Sequence, residues 1–387
     1  MDFDFTDEQR LLKDSVDRLV ADRYEFEQRK AYAKSPEGWS RDMWAQYAEL
    51  GILSLPFAEA DGGFGGTAVE TMIVMEALGR ALALEPYFAT VVLAGGLLRH
   101  AGSDGQRKTL VPQIAEGKLV MAFAYAERQS RYDLANVAVR ARREGNGWVL
   151  EGDKSLVLQG DSADLLVVSA RTAGGPRDKD GIGLFMVDAK APGVSRRGYP
   201  TQDGLRAADI SFASVKVDDA NVLGDGKSAY PVIERVVDEA IAALCAEAVG
   251  AMEAAHALTV EYLKTRKQFG RPIGSFQALQ HQAVDMLVAL EQARSITMYA
   301  TMMAQDEDAA ERHRAMLAAK VQIGRSGKFV GQKSIQLHGG VGMTMEYKVG
   351  HYFKHLTMLD ILFGDADHHL EALARLGGLM DAKRDAA

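Results

Sequence analysis

The apolar residues of this chain recur at helical spacing, then alternate, then return to helical spacing. That double change of period permits only helices built around a β-domain. The first third reads helical. From Thr6, TDEQRLLKDSVDRLV supplies an N-cap, early acids and apolar residues three to four apart. RDMWAQYAEL is a second helix, stopped at Gly51 and followed by the glycine-rich loop PFAEADGGFGG. A long apolar helix runs from about Ala68 to Leu84, where Pro86 interrupts it. ATVVLAGGLLRHAG and LVPQIAEGKL are further helices.

Near Leu119 the pattern becomes short β-rich runs separated by turns: VMAFAYAE, NVAVRARREGNGWVLEG, DLLVVSAR, IGLFMVDA and ISFASVKV. Asn146-Gly147 is a hairpin signal. The spacing predicts a compact antiparallel β-domain or barrel, not βαβ units. From about Tyr230 the helical period returns. An alanine-rich run through Phe269 suits close helix packing, and two more long helices and a closing one at DADHHLEALARLGGLM give an up-down bundle. The expected domains are 1–118 (N-terminal helical), 119–228 (middle β) and 229–387 (C-terminal four-helix bundle).

Composition excludes several classes. With 45 basic and 53 acidic residues among 387, the formal charge is −8, which argues against a nucleic-acid footprint. The 47% apolar and 25% charged content is that of a globular chain. The single cysteine, Cys245, has no partner for a disulfide or a CxxC site. No signal peptide and no membrane span are expected, which makes the cytoplasm the default.

The local signatures, in their order, resemble the acyl-CoA dehydrogenase family over nearly the whole chain. TDEQ, LGILSLPFAEADGGFGG and MEALGRA fit its N-terminal part. MAFAYAE, EGDKSLVLQGDSADLLVV and DGLRAADISFASVKVDDANVLGDG fit its β-domain. YLKTRKQFGRPIGSFQALQHQAVDM and QLHGGVGMTMEY fit its flavin- and subunit-facing segments. The resemblance implies FAD as cofactor and an acyl-CoA thioester as substrate. A carboxylate removes the α proton, the β hydrogen leaves as hydride to the flavin, and the product is a trans-2-enoyl-CoA. Electrons pass on to electron-transferring flavoprotein. It also implies a homodimer or homotetramer, or a hetero-oligomer with a related dehydrogenase subunit. A flavin monooxygenase-like activity is a third possibility that the fold supports.

Carried over residue by residue, the resemblance places Arg266 on the flavin pyrophosphate across a subunit boundary, where a planar guanidinium fork meets phosphate oxygens. Gln268 and Phe269 line the same dinucleotide. Gln277 matches a flavin-facing position, with a structural cap as the alternative. Gln336, Gly339 and Gly340 run beside the adenosine part, where glycine lets backbone approach closely. Lys264 and Lys267 read as surface. In the β-domain the family's TEP.AGSD becomes AERQSRYD, so Arg128 or Arg131 is the candidate for a CoA phosphate or a charged substrate group, with a surface ion pair as the alternative. Leu158 stands where a threonine or serine hydroxyl faces the flavin.

Both of the family's positions for the base hold inert residues. The Tyr-Glu-Gly glutamate is Phe363, and the alternative position on the first bundle helix is Ala240. Three carboxylates are candidates in their place. Glu239 adjoins Ala240. Glu247 lies on nearly the same helical face, roughly 10 Å further along. Asp365 follows Phe363-Gly364, with capping of the last helix as its other role. The remaining alternative is that this chain has no base, like the small subunit of heteromeric dehydrogenases of the pimeloyl-CoA type and of relatives acting on steroid or CoA-linked acids. His368-His369 reads as the start of a helix and not as a metal site, and no metal is expected.

Overall fold

The computed structural model describes residues 4–377. They divide into two compact units: one joins the residues up to Arg29, Ala68–Ala83 and those from Ile241, and the other joins Lys30–Thr67 and Leu84–Ala240.

The second unit carries the sheet. Its helices are α2 (Phe26–Ala33, which starts in the first unit), α3 (Arg41–Glu49), a π-helical turn over Phe88–Ala94 continuing into α5 (Gly95–Ala101), and α6 (Asp104–Ala115). Ser40 caps α3, and Ser103 with Gln106 forms a capping box on α6. The strands are β1 (Met121–Ala124), β2 (Arg140–Glu144), β3 (Gly147–Leu158), β4 (Leu165–Arg171), β5 (Ile182–Asp188), β6 (Val194–Pro200), β7 (Arg206–Asp218) and β8 (Val222–Leu223). Their order is β6-β7-β3-β2-β4-β5-β8, with β1 beside β4. The sheet is mixed, where the spacing predicts an antiparallel one. β1 and β4 pair in parallel, Met121 opposite Leu165 and Ala124 opposite Val168. Residues on opposite sides of a hairpin have to meet for that pairing, and spacing along the chain does not record it. The β2–β3 hairpin also turns one residue early. Glu144 pairs with Gly147, so Gly145-Asn146 forms the turn, and Gly145 takes φ +57°. Ala122, Val139, Leu150, Leu166, Val168, Phe185, Ile210 and Val215 pack the core beneath the sheet.

The first unit is helical. α1 (Asp7–Arg23) starts at Thr6, whose hydroxyl accepts the Gln9 N–H while the Gln9 side chain bonds back to the Thr6 N–H. α4 (Ala68–Ala81) ends five residues before Pro86, and Leu82 takes φ +57° there. The bundle comprises α7 (Tyr230–Thr265), α8 (Gln277–Met303), α9 (Ala309–His338), α10 (Lys348–Ile361) and α11 (Ala366–Leu376); β9 (Lys267–Gln268) and β10 (Arg271–Pro272) make a small hairpin between α7 and α8. α7 has a window apolar enough to cross a membrane by length and composition, but 72% of it is buried inside the protein, as in a core helix. α4 and the part of α7 beyond Ile241 meet backbone to backbone. A Cβ on Gly79 would lie 2.0 Å from the Glu247 carbonyl oxygen, and one on Gly250 would lie 1.9 Å from that of Glu76. Two glycines, one from each helix, therefore set the depth of this crossing. Around it Arg80 reaches Asp17, Glu76 and Glu253, and Arg294 reaches Glu76 and Glu253.

Candidate active site

At one end of the bundle the structure brings together residues 262–277 and residues 336–347, which are far apart in the chain. The Tyr262 ring, one turn before the end of α7, stacks on His338 at 4.5 Å between centroids, and Tyr347 lies 5.0 Å from the same imidazole. This stack sets Arg266 and its hairpin beside the end of α9. The Arg266 carbonyl accepts the Ile273 N–H at 2.8 Å, which closes the hairpin base. Arg266, Gln268 and Phe269 are all exposed, Phe269 at 89% and in the left-handed region at φ +54°. Arg266 enters no ion pair among the described residues. Gln336, Gly339 and Gly340 are exposed at the end of α9, and a Cβ on either glycine would meet nothing within 4 Å. Gln277 is exposed at the first turn of α8; that helix starts without a side-chain cap, so Gln277 is not spent as one. A guanidinium without a counterion, open backbone at two glycines and exposed amides suit a dinucleotide diphosphate. His338 adds a feature that the sequence did not single out. Its Nδ1 lies 2.7 Å from the Ser334 carbonyl, whereas its Nε2 is buried with no partner.

In the sheet unit, Tyr125 and Ala126 leave β1 half-buried, and Leu156 and Leu158 are half-buried on β3. β3 is irregular between Lys154 and Val157, and Leu156 takes φ +50°. Leu158 has no hydroxyl, so a planar ring held here would rely on backbone groups. Arg128 and Arg131 are exposed. Arg128 lies 3.6 Å from Asp209, and Arg131 has no ion pair among the described residues.

The three candidate carboxylates have different fates. Glu239 is held by Arg99, by His100 at 2.9 Å and by Arg235 at 3.3 Å. Burial alone would raise its pKa, but the His100 bond and the charges of Arg99, His100 and Arg235 outweigh that and hold it at about 2. A carboxylate so stabilised is a poor proton acceptor. The effect on stability follows from the sign of the shift. Because the folded pKa is depressed below the ordinary 4.5, the stabilisation is complete above that pH and is lost as pH falls toward about 2. Glu239→Gln is expected to cost on the order of 3 kcal/mol at pH 7. Denaturant melts at successive pH values should show the gap to wild type narrowing from pH 5 downward.

Asp365 accepts the His368 N–H at 2.9 Å and so caps α11. Glu247 is buried on α7, with its Oε1 3.0 Å from His355 Nε2 on α10. Ala240 is fully buried, and Phe363 is buried at 8% exposure in the left-handed region at φ +58°. The α10–α11 corner around Phe363 is tied from below by Lys320. Its buried ammonium donates to the Leu359 and Asp360 carbonyls at 2.6 and 2.9 Å. His369 lies against this corner, so close that a Cβ on Gly364 would come within 2.6 Å of its Nε2. Burial foremost, with Lys320 and His368, pulls its pKa down to about 3, so the imidazole stays neutral.

Of these partners, the sequence carries a signal for His355 alone. His355 falls with Tyr352, Leu356 and Leu359 at helical spacing on the buried face of α10, a pattern that marks an inward-facing polar residue. Arg99 and His100 gave no such signal, because basic residues at a helix end usually serve its dipole.

Comparison with known proteins identifies the architecture. Three family models cover the chain in order: acyl-CoA dehydrogenase N-terminal domain over residues 6–118, middle domain over 122–219 and C-terminal domain over 230–377. The chain is 31% identical over 359 residues to acyl-CoA dehydrogenase FadE12 of Mycobacterium tuberculosis, covering 89% of each. Its fold matches a variant of the Tcur3481–Tcur3483 steroid ACAD at TM-score 0.86 and 30% identity, over 96% of this chain and 98% of that one. It matches a chain of the ChsE4–ChsE5 complex from Mycobacterium tuberculosis at TM-score 0.87 and 27% identity, over 99% and 100%. Three family models in this order span the helical, sheet and bundle regions, and this chain is a member of the acyl-CoA dehydrogenase superfamily.

Proposed function

We propose that the chain serves FAD-dependent α,β-dehydrogenation of an acyl-CoA thioester as a subunit that holds the cofactor while a related dehydrogenase chain carries the working carboxylate. The observation behind this reading is the filling of both base positions by buried apolar side chains, Ala240 and Phe363. The substitutes support it, since Glu239 is neutralised by two arginines and Asp365 is spent on a helix cap. One structural relative is a chain of the ChsE4–ChsE5 complex, which agrees with such a pairing.

FAD is the cofactor, and it supplies the two-electron acceptor for the β hydrogen. On this reading Arg266 would meet its diphosphate, Gln268, Phe269 and Gln277 would line it, and Gln336, Gly339 and Gly340 would offer backbone and amide donors. Removal of the α proton requires stabilisation of the developing enolate and a carboxylate of suitable pKa. On this reading the second chain provides that carboxylate. Electron-transferring flavoprotein is the acceptor beyond the flavin.

A second reading keeps the base in this chain. Glu247 is the candidate, buried on α7 with the His355 imidazole rather than a guanidinium as its partner.

Flavin content tests the first reading. The co-expressed pair should purify yellow, and Arg266→Ala should release most of the flavin on gel filtration, with at least about tenfold weaker retention from loss of a charge-assisted diphosphate clamp. Full flavin content in the Arg266→Ala pair would remove this chain from the cofactor site.

A further inference from the structure

The segment from Glu127 to Val139 is a compact loop whose two ends are joined by one side chain. The Glu127 carboxylate accepts the Ala138 N–H at 2.8 Å and the Val139 N–H at 3.2 Å, so the first residue of the loop clasps the last two. It also accepts from Gln129 Nε2 at 2.6 Å and from Lys154 Nζ at 2.7 Å. Lys154 in turn is held by the Tyr125 carbonyl and the Ser169 hydroxyl, each at 3.0 Å. The lysine is 1% exposed and Glu127 is 5% exposed, and every donor of the ammonium has a partner.

Inside the loop the backbone is ordered by its own short bonds. Glu127 and Ser130 bond reciprocally, Asp133 N–H reaches the Ser130 carbonyl, and the Asn136 side chain reaches the Gln129 carbonyl. Arg171 fastens the far limb through the Ala135 carbonyl at 2.7 Å. A loop with joined ends that is packed by its own side chains is a frequent carrier of function. Its exposed residues include Arg128, 81% exposed at the side chain and 3.6 Å from Asp209, and Arg131, which takes φ +47° and has no ion pair among the described residues. A left-handed arginine persists only where its surroundings impose it, and such outliers gather at ligand-binding positions.

We propose that the buried Glu127–Lys154 pair is a positioning device: it pre-forms the 127–139 loop so that Arg131, assisted by Arg128, meets a phosphate of the CoA arm. This rests on the acyl-CoA reading above. Fixing the loop before binding removes the ordering cost that a mobile loop would charge against affinity. The ligand is an anion with several oxygens, because two guanidiniums exposed on one loop match phosphate by charge and by planar donor geometry. The pair acts through Arg131 and touches no reacting atom.

The test uses the co-expressed assembly and two thioesters of one acyl group, the CoA ester and the N-acetylcysteamine ester, which lacks all phosphates. Affinities are read by calorimetry for wild type, Arg131→Ala, the double variant Glu127→Gln/Lys154→Met, and the combination of all three. Arg131→Ala is at the surface and leaves the fold intact. It is expected to weaken the CoA ester about tenfold and to leave the truncated ester unchanged. The double variant, in which both buried charges are removed together, should show the same selective loss, and the triple variant should lose little more, since both changes act on one contact. Equal loss for the two esters, no loss in Arg131→Ala, or full additivity in the triple variant would overturn the proposal while leaving the acyl-CoA reading in place. Failure of wild type to bind either ester would overturn that reading and the proposal with it.

Discussion

Lys154→Met is expected to destabilise the protein by about 3–5 kcal/mol, because it leaves the Glu127 carboxylate buried without a counter-charge. The two groups stand 2.7 Å apart, with side-chain exposures of 0% and 3%. Neither reaches water, so removing one does not let the other rehydrate. The pKa directions agree. Burial draws Lys154 down to about 8 against the opposing pull of Glu127, while Glu127, which burial alone would raise, is held below its usual value by Lys154 and its other donors. Adding Glu127→Gln to Lys154→Met should recover the larger part of the loss, since no uncompensated charge then remains. The recovery should be incomplete, because a carboxamide has one acceptor oxygen and the Ala138 and Val139 N–H groups use both carboxylate oxygens. Urea titration of the single and double variants measures both quantities. A single variant as stable as wild type would show that the pair is hydrated in solution.

Alanine at Gly79 or Gly250 is expected to cost at least about 3 kcal/mol, the upper part of the range for overpacking. At each position the added carbon would meet the partner helix's backbone carbonyl at 2.0 or 1.9 Å, and backbone cannot turn aside as a flexible side chain can. The helices have to separate, which pulls Glu247 on α7 away from His355 and disturbs the arginine–carboxylate cluster at the crossing. Gly105→Ala is the control. It lies on α6 with nothing within 4 Å of the added carbon, and helix propensity predicts a gain of up to about 1 kcal/mol. Thermal melts of the three variants should therefore move in opposite directions, with Gly79 and Gly250 downward and Gly105 upward.

What the sequence disclosed follows from what each signal encodes. The exchange of helical for alternating period located the sheet region, because each period is a local property of one element. The N-cap at Thr6 was legible for the same reason. The parallel β1–β4 pairing was not, since it joins Met121 to Leu165 across an intervening hairpin. The burial of Lys154 was not legible, because only the three-dimensional surroundings of Glu127, Ser169 and the Tyr125 carbonyl make it tolerable. The π-helical turn over Phe88–Ala94 read as plain helix, because one extra residue in a turn barely disturbs an all-apolar pattern. α10 was legible from the helical spacing of Tyr352, His355, Leu356 and Leu359, but its histidines, lysines and aspartate weaken that stripe. The inert residues at 240 and 363 were visible at once. That Glu239 is bound to Arg99 and His100 required the fold, because 140 and 139 positions separate those partners.

The most direct test of the central claim is the visible spectrum of the chain under anaerobic conditions as saturated acyl-CoA esters are added, first with the chain alone and then with its co-expressed dehydrogenase-like partner. The esters should include medium-chain, dicarboxylic and steroid side-chain types. A flavin-holding subunit without a base predicts that the band bleaches only in the assembly. Bleaching by the chain alone would contradict the account and return the base to Glu247.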